Sequence, residues 1–263
     1  MSMIIITGHI DVSVGALIGV LATISGTLAV AGYPIWVAWL APVVIGMAVN
    51  AVVGALVAYG RIPSIVVTLG MLSILRGGLV SVTGGAWITD LPPGYQLAQQ
   101  RLFDVPAPIW FMVILTVAAF IWMRYSAIGR SFYAIGGNAE AARAAGISIE
   151  RRTVLVFAIH GGFAGLATIL FATQLQIIQS TVPPNLELTI ITAAVIGGVS
   201  ILGGTGTVIG STLAALLFSA IGSALIFVNV SAYWLRAVIG LLILATVLVD
   251  MARRGREMRG AKR

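Results

Sequence analysis

Few residues of this sequence carry side chains that could perform covalent chemistry. The 263 residues include eight acidic residues, two histidines and no cysteine. The acids are scattered, and no HExxH, GxSxG or paired-carboxylate arrangement occurs. We interpret His160, beside Gly161, Gly162 and Gly165, as part of a close helix contact, because a metal site needs further ligands nearby. We therefore expect no enzyme activity, no cofactor and no metal site in this chain.

The glycine-rich run at residues 203–206 (GGTG) does not have the composition of a phosphate loop. It lacks the Lys-Ser/Thr pair and follows no predicted strand, so any ATP hydrolysis must come from a separate chain. Short apolar segments interrupted by glycine, such as residues 187–206, are typical of discontinuous helices beside a transport pathway.

Several polar residues interrupt otherwise apolar segments and are candidates for a translocation pathway: Asp11, Ser13, Asn50, Gln174, Glu187 and Thr192. Ionisable groups within a membrane are costly and usually mark a functional site. Each also has a plainer interpretation, as a helix cap or a packing residue. Asp11 or Ser13 could cap the helix that follows, or residues 8–15 could form a polar turn between two spans.

The composition predicts an all-helical polytopic membrane protein. Hydrophobic residues make up 59% and charged residues only 9% of the chain, and the mean hydropathy is +1.08; soluble domains carry about 25% charged residues. A spanning helix needs about 20 apolar residues, and the apolar segments then give about eight spans. We predict them near residues 13–31, 35–59, 64–82, 109–123, 153–175, 187–198, 208–227 and 233–249.

The net charge of +7 has its source in two segments. One is the loop at residues 129–152 with its flanking arginines, and the other is the basic tail at residues 251–263. The positive-inside rule predicts that both are cytoplasmic. Residues 1–250 then form one transmembrane domain, followed by a cytoplasmic tail that could contact anionic lipid. Nucleic acid is not an expected partner.

The loop at residues 129–152 is the one long charged segment between predicted spans. Its middle predicts a short helix, with Asn138 as the N-cap, Glu140 in the first turn, alanines along its length and Gly146 as the residue that ends it. A well-formed helix with a small-residue face, held between spans, is suited to docking against another protein.

Residues 140–146 (EAARAAG) match the EAA-x-x-x-G pattern of permease subunits of ATP-binding-cassette (ABC) importers. The wider string at residues 129–146 resembles the branch that serves ribose, other simple sugars and autoinducer-2. Residues 10–15 (IDVSVG), 62–85 and 187–210 also resemble that branch, so the resemblance covers nearly the whole chain. Residues 85–92 (GAWITDLP) are most similar to the autoinducer-2 and rhamnose-type permeases.

The resemblance implies an inner-membrane permease that pairs with a second permease copy or a close homologue, two ABC ATPase subunits and a periplasmic substrate-binding protein. In that family a coupling helix in the central loop fits a groove on the ATPase. Carried over by position, the implied coupling residues are Gly136, Gly137, Asn138, Glu140, Ala141, Ala142, Arg143 and Gly146.

Family members usually carry about ten spans, with one or two helices upstream of the IDVSVG segment. That segment begins here at Ile10, so we expect either a reading frame that starts late or a truncated form. Two alternatives to a sugar or autoinducer-2 permease remain open. One is an ABC permease for branched-chain amino acids, and the other is a proton-coupled secondary carrier that would use Asp11 or Glu187.

Overall fold

The computed structural model describes residues 1–174, 176–181 and 185–228, together with the single positions 234, 237, 240 and 241. Its helices are α1 Ser2–Ile6, α2 Val14–Val30, α3 Ile35–Gly60, α4 Ser64–Thr83, α5 Ala107–Tyr125, α6 Ala127–Gly137, α7 Ala139–Ala144, α8 Ile149–Ala172, α9 Leu186–Ile196 and α10 Val208–Phe227. Four two-residue strands form two antiparallel pairs: β1 Trp87–Ile88 with β4 Ile178–Gln179, and β2 Arg101–Leu102 with β3 Val105–Pro106.

The prediction of an all-helical membrane protein is confirmed. Helices α3, α4, α5 and α8 are long and apolar enough to cross a membrane, and α2, α9 and α10 supply shorter apolar segments. Seven of the eight predicted spans thus correspond to helices with closely matching bounds. Most of the eighth, near residues 233–249, and the whole basic tail lie outside the described residues. Helix α8 begins at Ile149, earlier than predicted, because Glu150 and the two arginines after it join its first turn.

Helices α3 and α8 pack directly backbone to backbone. A Cβ atom at Gly161 would meet the carbonyl oxygen of Gly46, and one at Gly165 would meet that of Pro42. A Cβ atom at Gly54 would lie 2.8 Å from the Cβ atom of Phe157. Small residues let membrane helices approach closely, as Gly161, Gly162 and Gly165 in α8 predicted.

Helices α9 and α10 form a second pair of this kind. A Cβ atom at Gly210 would meet the carbonyl oxygen of Gly197, and one at Gly197 would meet the backbone of Ser211. The chain between these helices, residues 197–207, is irregular, as expected for a discontinuous segment.

Helix α1 lies in the middle of the bundle. Ile4, Ile5 and Ile6 are completely buried, in a core shared with α3, α5, α6, α8 and α9. By contrast, α3, α4 and α5 expose large apolar side chains, including Trp36, Ile74 and Ile114. Apolar side chains facing outward around a bundle with a packed interior are what a lipid environment requires.

One end of the bundle, which we call the loop end, is closed by residues 84–106, 173–174 and 176–181. Tyr95 is completely buried there, its hydroxyl 2.8 Å from Ser25 Oγ, and its carbonyl oxygen accepts a hydrogen bond from Trp39 Nε1. The Thr173 hydroxyl accepts from the Ala98 amide at 3.1 Å. The strand pairing of β1 with β4 joins the two loops, so the loop end is an organised layer of structure.

Candidate functional site

Helix α7 is stabilised at both ends by its own sequence. The Asn138 side-chain oxygen accepts a hydrogen bond from the Ala141 amide at 3.0 Å, which caps the N-terminus. Gly146 has φ +81°, and its amide donates to the Arg143 carbonyl while the Ile147 amide donates to Ala142, both at 3.0 Å. This pair of bonds is a Schellman motif. The predicted helix and both of its terminal signals are confirmed.

The outer surface of α7 is uncovered. Ala142 is the one residue of the helix that is buried, and the others, including Glu140 and Ala141, are exposed. Arg143 makes an ion pair with Glu150 in the first turn of α8, at 2.8 Å. Exposed ion pairs of this kind contribute little, about 0–1 kcal/mol. The helix is therefore capped at both ends and lies on the surface, with all of its small side chains except Ala142 exposed.

Helix α6, which precedes α7, was not predicted from the sequence. Ser126 Oγ accepts from the Gly129 amide at 2.8 Å and begins the helix. Phe132 and Ile135 bury one face against the core. Gly137 is exposed, whereas Gly136 approaches the backbone of Ile6 and Gly204 too closely for any side chain. The capping serine and the spacing of the apolar residues were the signals that could have identified α6.

A buried polar cluster, the Asp11 cluster, comprises Asp11, Ser13, Asn50 and His160. Asp11 and Asn50 are completely buried, and His160 is 5% exposed. Asp11 Oδ1 accepts from the Ser13 amide at 2.8 Å and from the Ser13 hydroxyl at 2.6 Å. Asp11 Oδ2 accepts from Asn50 Nδ2 at 3.2 Å and lies 3.5 Å from His160 Nε2.

The structure thus brings together three of the six candidate pathway residues and adds His160, which sequence reasoning assigned to packing alone. Ser13 occupies the N-cap position of α2, but its side chain donates to Asp11 and makes no capping bond. The proximity of residues 11 and 160 depends on the packing of α2, α3 and α8, and no local pattern reveals it.

The other three candidate residues lie apart from the Asp11 cluster. Glu187, in the first turn of α9, is 6% exposed, and its Oε2 atom lies against Gly15 at the start of α2. Thr192 donates to the Leu188 carbonyl one turn back, at 2.6 Å. Gln174 is exposed at the loop end, and its carbonyl oxygen accepts from Gln99 Nε2 at 3.1 Å.

Among the residues that the structure describes, three buried side-chain polar atoms have no hydrogen-bond partner: Asn50 Oδ1, His160 Nε2 and Glu187 Oε2. Buried polar groups are usually satisfied by protein or water, so these atoms can bind water or a hydroxyl group.

Beside His160, a cavity of about 220 Å³ lies among α1, α5, α8 and α10, with Ser2 and Thr116 in its largely apolar wall. Within the described residues, no group of three or more His, Cys, Asp or Glu could hold a metal ion. The arrangement suits hydrogen bonding to a polar solute.

Comparison with known proteins gives a consistent result. Residues 1–247 match the family model described as "Branched-chain amino acid transport system / permease component". The autoinducer 2 import system permease protein LsrC of Salmonella paratyphi B is 39% identical over 250 residues, which cover 95% of this chain and 72% of that protein. LsrC of Escherichia coli O9:H4 is also 39% identical, over 95% of this chain and 73% of its own length. No solved structure matches. The resemblance carried by the sequence motifs is confirmed, and the chain belongs to this permease family of ABC importers.

Proposed function

We propose that this chain is the membrane-spanning subunit of an ABC importer for autoinducer-2 or a related monosaccharide of the rhamnose or ribose type. It works in the cell inner membrane, paired with a second permease copy or a close homologue. Two ATPase subunits bind on the cytoplasmic side, and a periplasmic binding protein delivers the cargo. The chain provides the pathway, and ATP hydrolysis takes place in the partner subunits.

Helix α7 is the observation that carries this proposal. It is too short to span a membrane, is capped at both ends and leaves nearly its whole surface uncovered. A surface helix of six residues gains little from burial and is marginal alone, so capping signals at both ends favour a role in a contact outside this chain. We assign that contact to the ATPase, with Gly136, Gly137, Asn138, Glu140, Ala141, Ala142, Arg143 and Gly146 as the coupling residues.

In the proposed mechanism, closure of the ATPases on ATP moves α7 as a rigid body. The bundle then changes from an outward-facing to an inward-facing state because the two states differ in their contacts with the ATPases. Asp11, Ser13, Asn50, Glu187 and Thr192 offer polar groups along the pathway, with Gln174 at its outer end. The unpartnered oxygens of Asn50 and Glu187 suit the hydroxyl groups of a neutral sugar-like cargo.

The cargo class rests on the relatives, whose printed names specify import of autoinducer 2. The family description also includes branched-chain amino acid transport. Uptake of labelled autoinducer-2, ribose, rhamnose and leucine into proteoliposomes with the complete complex separates these classes. Saturable uptake of leucine alone would assign the chain to amino acid import.

The first test is co-purification of the tagged permease with its ATPase, using the variant Gly146→Leu. A left-handed backbone conformation costs a residue with a side chain about 1–2 kcal/mol, which loosens the end of α7. We expect the permease to insert normally and to lose its ATPase and its ATP-dependent uptake. Gly32→Leu is the matched control, because Gly32 has the same φ of +81° and open space around it, but lies near the loop end.

Normal uptake by Gly146→Leu would contradict the assignment of α7 as the coupling helix. Loss of ATPase binding in both variants would indicate general misfolding. In that case Asn138→Ala, which removes the N-cap of α7, would test the role of the helix instead. A wild-type permease that carries out uptake without any ATPase would contradict the importer itself.

The Asp11 cluster favours one other candidate, a proton-coupled carrier, because a buried carboxylate beside an imidazole can bind a proton during transport. Such a carrier would work alone in liposomes with a pH gradient. Asp11→Asn or Glu187→Gln would abolish that uptake. Uptake that requires ATP and the ATPase, without a pH gradient, excludes this candidate.

The proposed orientation places α7 and the C-terminus in the cytoplasm, in accord with the arginines at and beside residues 129–152. The chain has no cysteine, so a single introduced cysteine reports its own side of the membrane. Ala145→Cys, next to α7, should react with an impermeant maleimide only in inverted vesicles, and Gly32→Cys only in cells.

A further inference from the structure

The proposed function assigns α7 to the ATPase but leaves open how its movement reaches the pathway helices. On its C-terminal side α7 is connected covalently to α8, through residues 145–148. Apart from that connection, α7 is tied to α8 by the exposed Arg143–Glu150 ion pair. Helix α8 is packed through glycine against α3. A second structural connection is needed if the movement of α7 is to be transmitted to α9 and α10 as well.

Such a route exists at the end of α6, which leads directly into α7. A Cβ atom at Gly136 would meet the Ile6 carbonyl oxygen and would lie 2.5 Å from the Gly204 amide nitrogen. A Cβ atom at Gly204 would lie 2.8 Å from Gly137 Cα. The Gly204 amide itself donates to the Ile6 carbonyl at 2.8 Å. Three separate parts of the chain therefore meet here through backbone atoms. We call this meeting point the glycine joint.

Tyr133 adds a side-chain bond to the glycine joint. Its hydroxyl donates to the Gly206 carbonyl oxygen at 3.1 Å, which ties α6 to the segment that leads into α10. Burial raises the pKa of the Tyr133 phenol, so the hydroxyl stays protonated and remains a donor. Gly206 has φ +145°, a backbone conformation open mainly to glycine, so this position requires glycine.

The glycine joint connects two irregular segments that lead to the candidate pathway residues. One runs from Ile6 to Ser13 and ends in the Asp11 cluster. The other, residues 197–207, joins α9 and α10, and α9 carries Glu187 and Thr192. Backbone packed against backbone has no side chain to rearrange, so a displacement of α6 is passed on without being absorbed.

Resting on the proposed function, we propose that Tyr133, Gly136 and Gly204 are positioning residues that couple the movement of α7 to both irregular segments. ATP-driven movement of α7 shifts the end of α6. The glycine joint then moves the Ile6–Ser13 segment and the start of α10 together, and the two sides of the pathway change state in step.

The test is the ratio of cargo transported to ATP hydrolysed, measured in proteoliposomes with the complete complex. Tyr133→Phe removes one hydrogen bond and preserves packing, and we expect its ratio to fall about fivefold. Gly136→Ala places a methyl group inside the joint, and we expect a fall of about tenfold or more. Tyr133→Phe should retain the ATPase on co-purification, because α7 and the proposed coupling residues are unchanged.

Two control variants match these changes. Tyr125→Phe alters a tyrosine that is 66% exposed, and Gly77→Ala places a methyl group in open space on α4. Both should transport at the wild-type ratio. A purely structural role for the glycine joint would lower the amount of folded complex and leave the ratio unchanged.

The outcomes separate this inference from the proposed function. A wild-type ratio in Tyr133→Phe and Gly136→Ala, with ATPase bound, overturns the glycine joint and leaves the importer intact. A wild-type permease that binds no ATPase overturns both. If Gly136→Ala fails to insert into the membrane, the transport ratio of Tyr133→Phe alone decides whether the glycine joint couples the movement.

Discussion

Helix α7 and the Asp11 cluster are both polar regions of an apolar protein, but they differ in the contacts that stabilise them and in their exposure to solvent. Helix α7 depends on residues within it or a few positions away, and its surface is exposed. The Asp11 cluster draws on three elements separated by as many as 149 residues of sequence, from Asp11 to His160, and is buried. Substitutions in α7 should therefore change function with little loss of stability, whereas substitutions in the Asp11 cluster should lower the stability of the fold first.

The largest effect should come from Asp11→Ala. This change leaves the Ser13 amide, the Ser13 hydroxyl and Asn50 Nδ2 without their acceptor in a buried site. We expect a loss of about 3 kcal/mol in the free energy of unfolding. Thermal unfolding of the detergent-purified permease should show a Tm lower by about 10 °C.

Asp11→Asn keeps one acceptor oxygen and should lose about half as much stability. Asp90→Asn, which alters an exposed carboxylate, should leave the Tm unchanged. If Asp11→Ala unfolds at the wild-type temperature, the Asp11 cluster does not stabilise the fold, and the contrast with α7 disappears.

An intermediate effect, on transport and not on the Tm, should come from Asn138→Ala. Loss of an N-cap costs a helix about 1 kcal/mol, and α7 has only six residues over which to recover it. We expect transport with the complete complex to fall about fivefold, with the global Tm unchanged. Asn138→Asp retains the capping oxygen and should restore transport. A lower global Tm in Asn138→Ala would mean that α7 is not independent of the core.

The smallest effect should come from the Arg143–Glu150 ion pair, which joins α7 to α8. A double-mutant cycle with Arg143→Ala and Glu150→Ala should give a coupling free energy of about 0.5 kcal/mol, because the Arg143 side chain is 64% exposed. Raising the salt concentration should reduce it further. A coupling energy of several kcal/mol would show that α7 is held by α8 and would remove the need for a second route.

The same contrast explains what the sequence could predict. The bounds of α3, α4 and α5 followed from apolar length, and those of α7 followed from Asn138 and Gly146. The partnership of Asp11 with His160 could not be predicted, because it depends on how α2, α3 and α8 pack. The pairing of β1 with β4 was missed for a similar reason, since each strand has two residues and their partners lie far apart in sequence.

Helix α6 was missed for another reason. The high charge of residues 129–152 favoured an aqueous loop, and the apolar face formed by Phe132 and Ile135 was outweighed by that interpretation. A segment can be highly charged overall and still bury one apolar helix face. The glycine joint was likewise beyond prediction, since glycine–glycine contacts leave no pattern that identifies their partner.

The glycine packing of α3 with α8, and of α9 with α10, has a consequence for conformational entropy. Glycine contributes no side-chain rotamers to an interface, so the glycines at these contacts lose no side-chain entropy when the helices associate. We expect each pair to move as one body in the proposed transport cycle. Helix α2, which contacts α3, α8 and α9, lies where these two bodies meet. The entropy change of the transport cycle should thus be concentrated along α2.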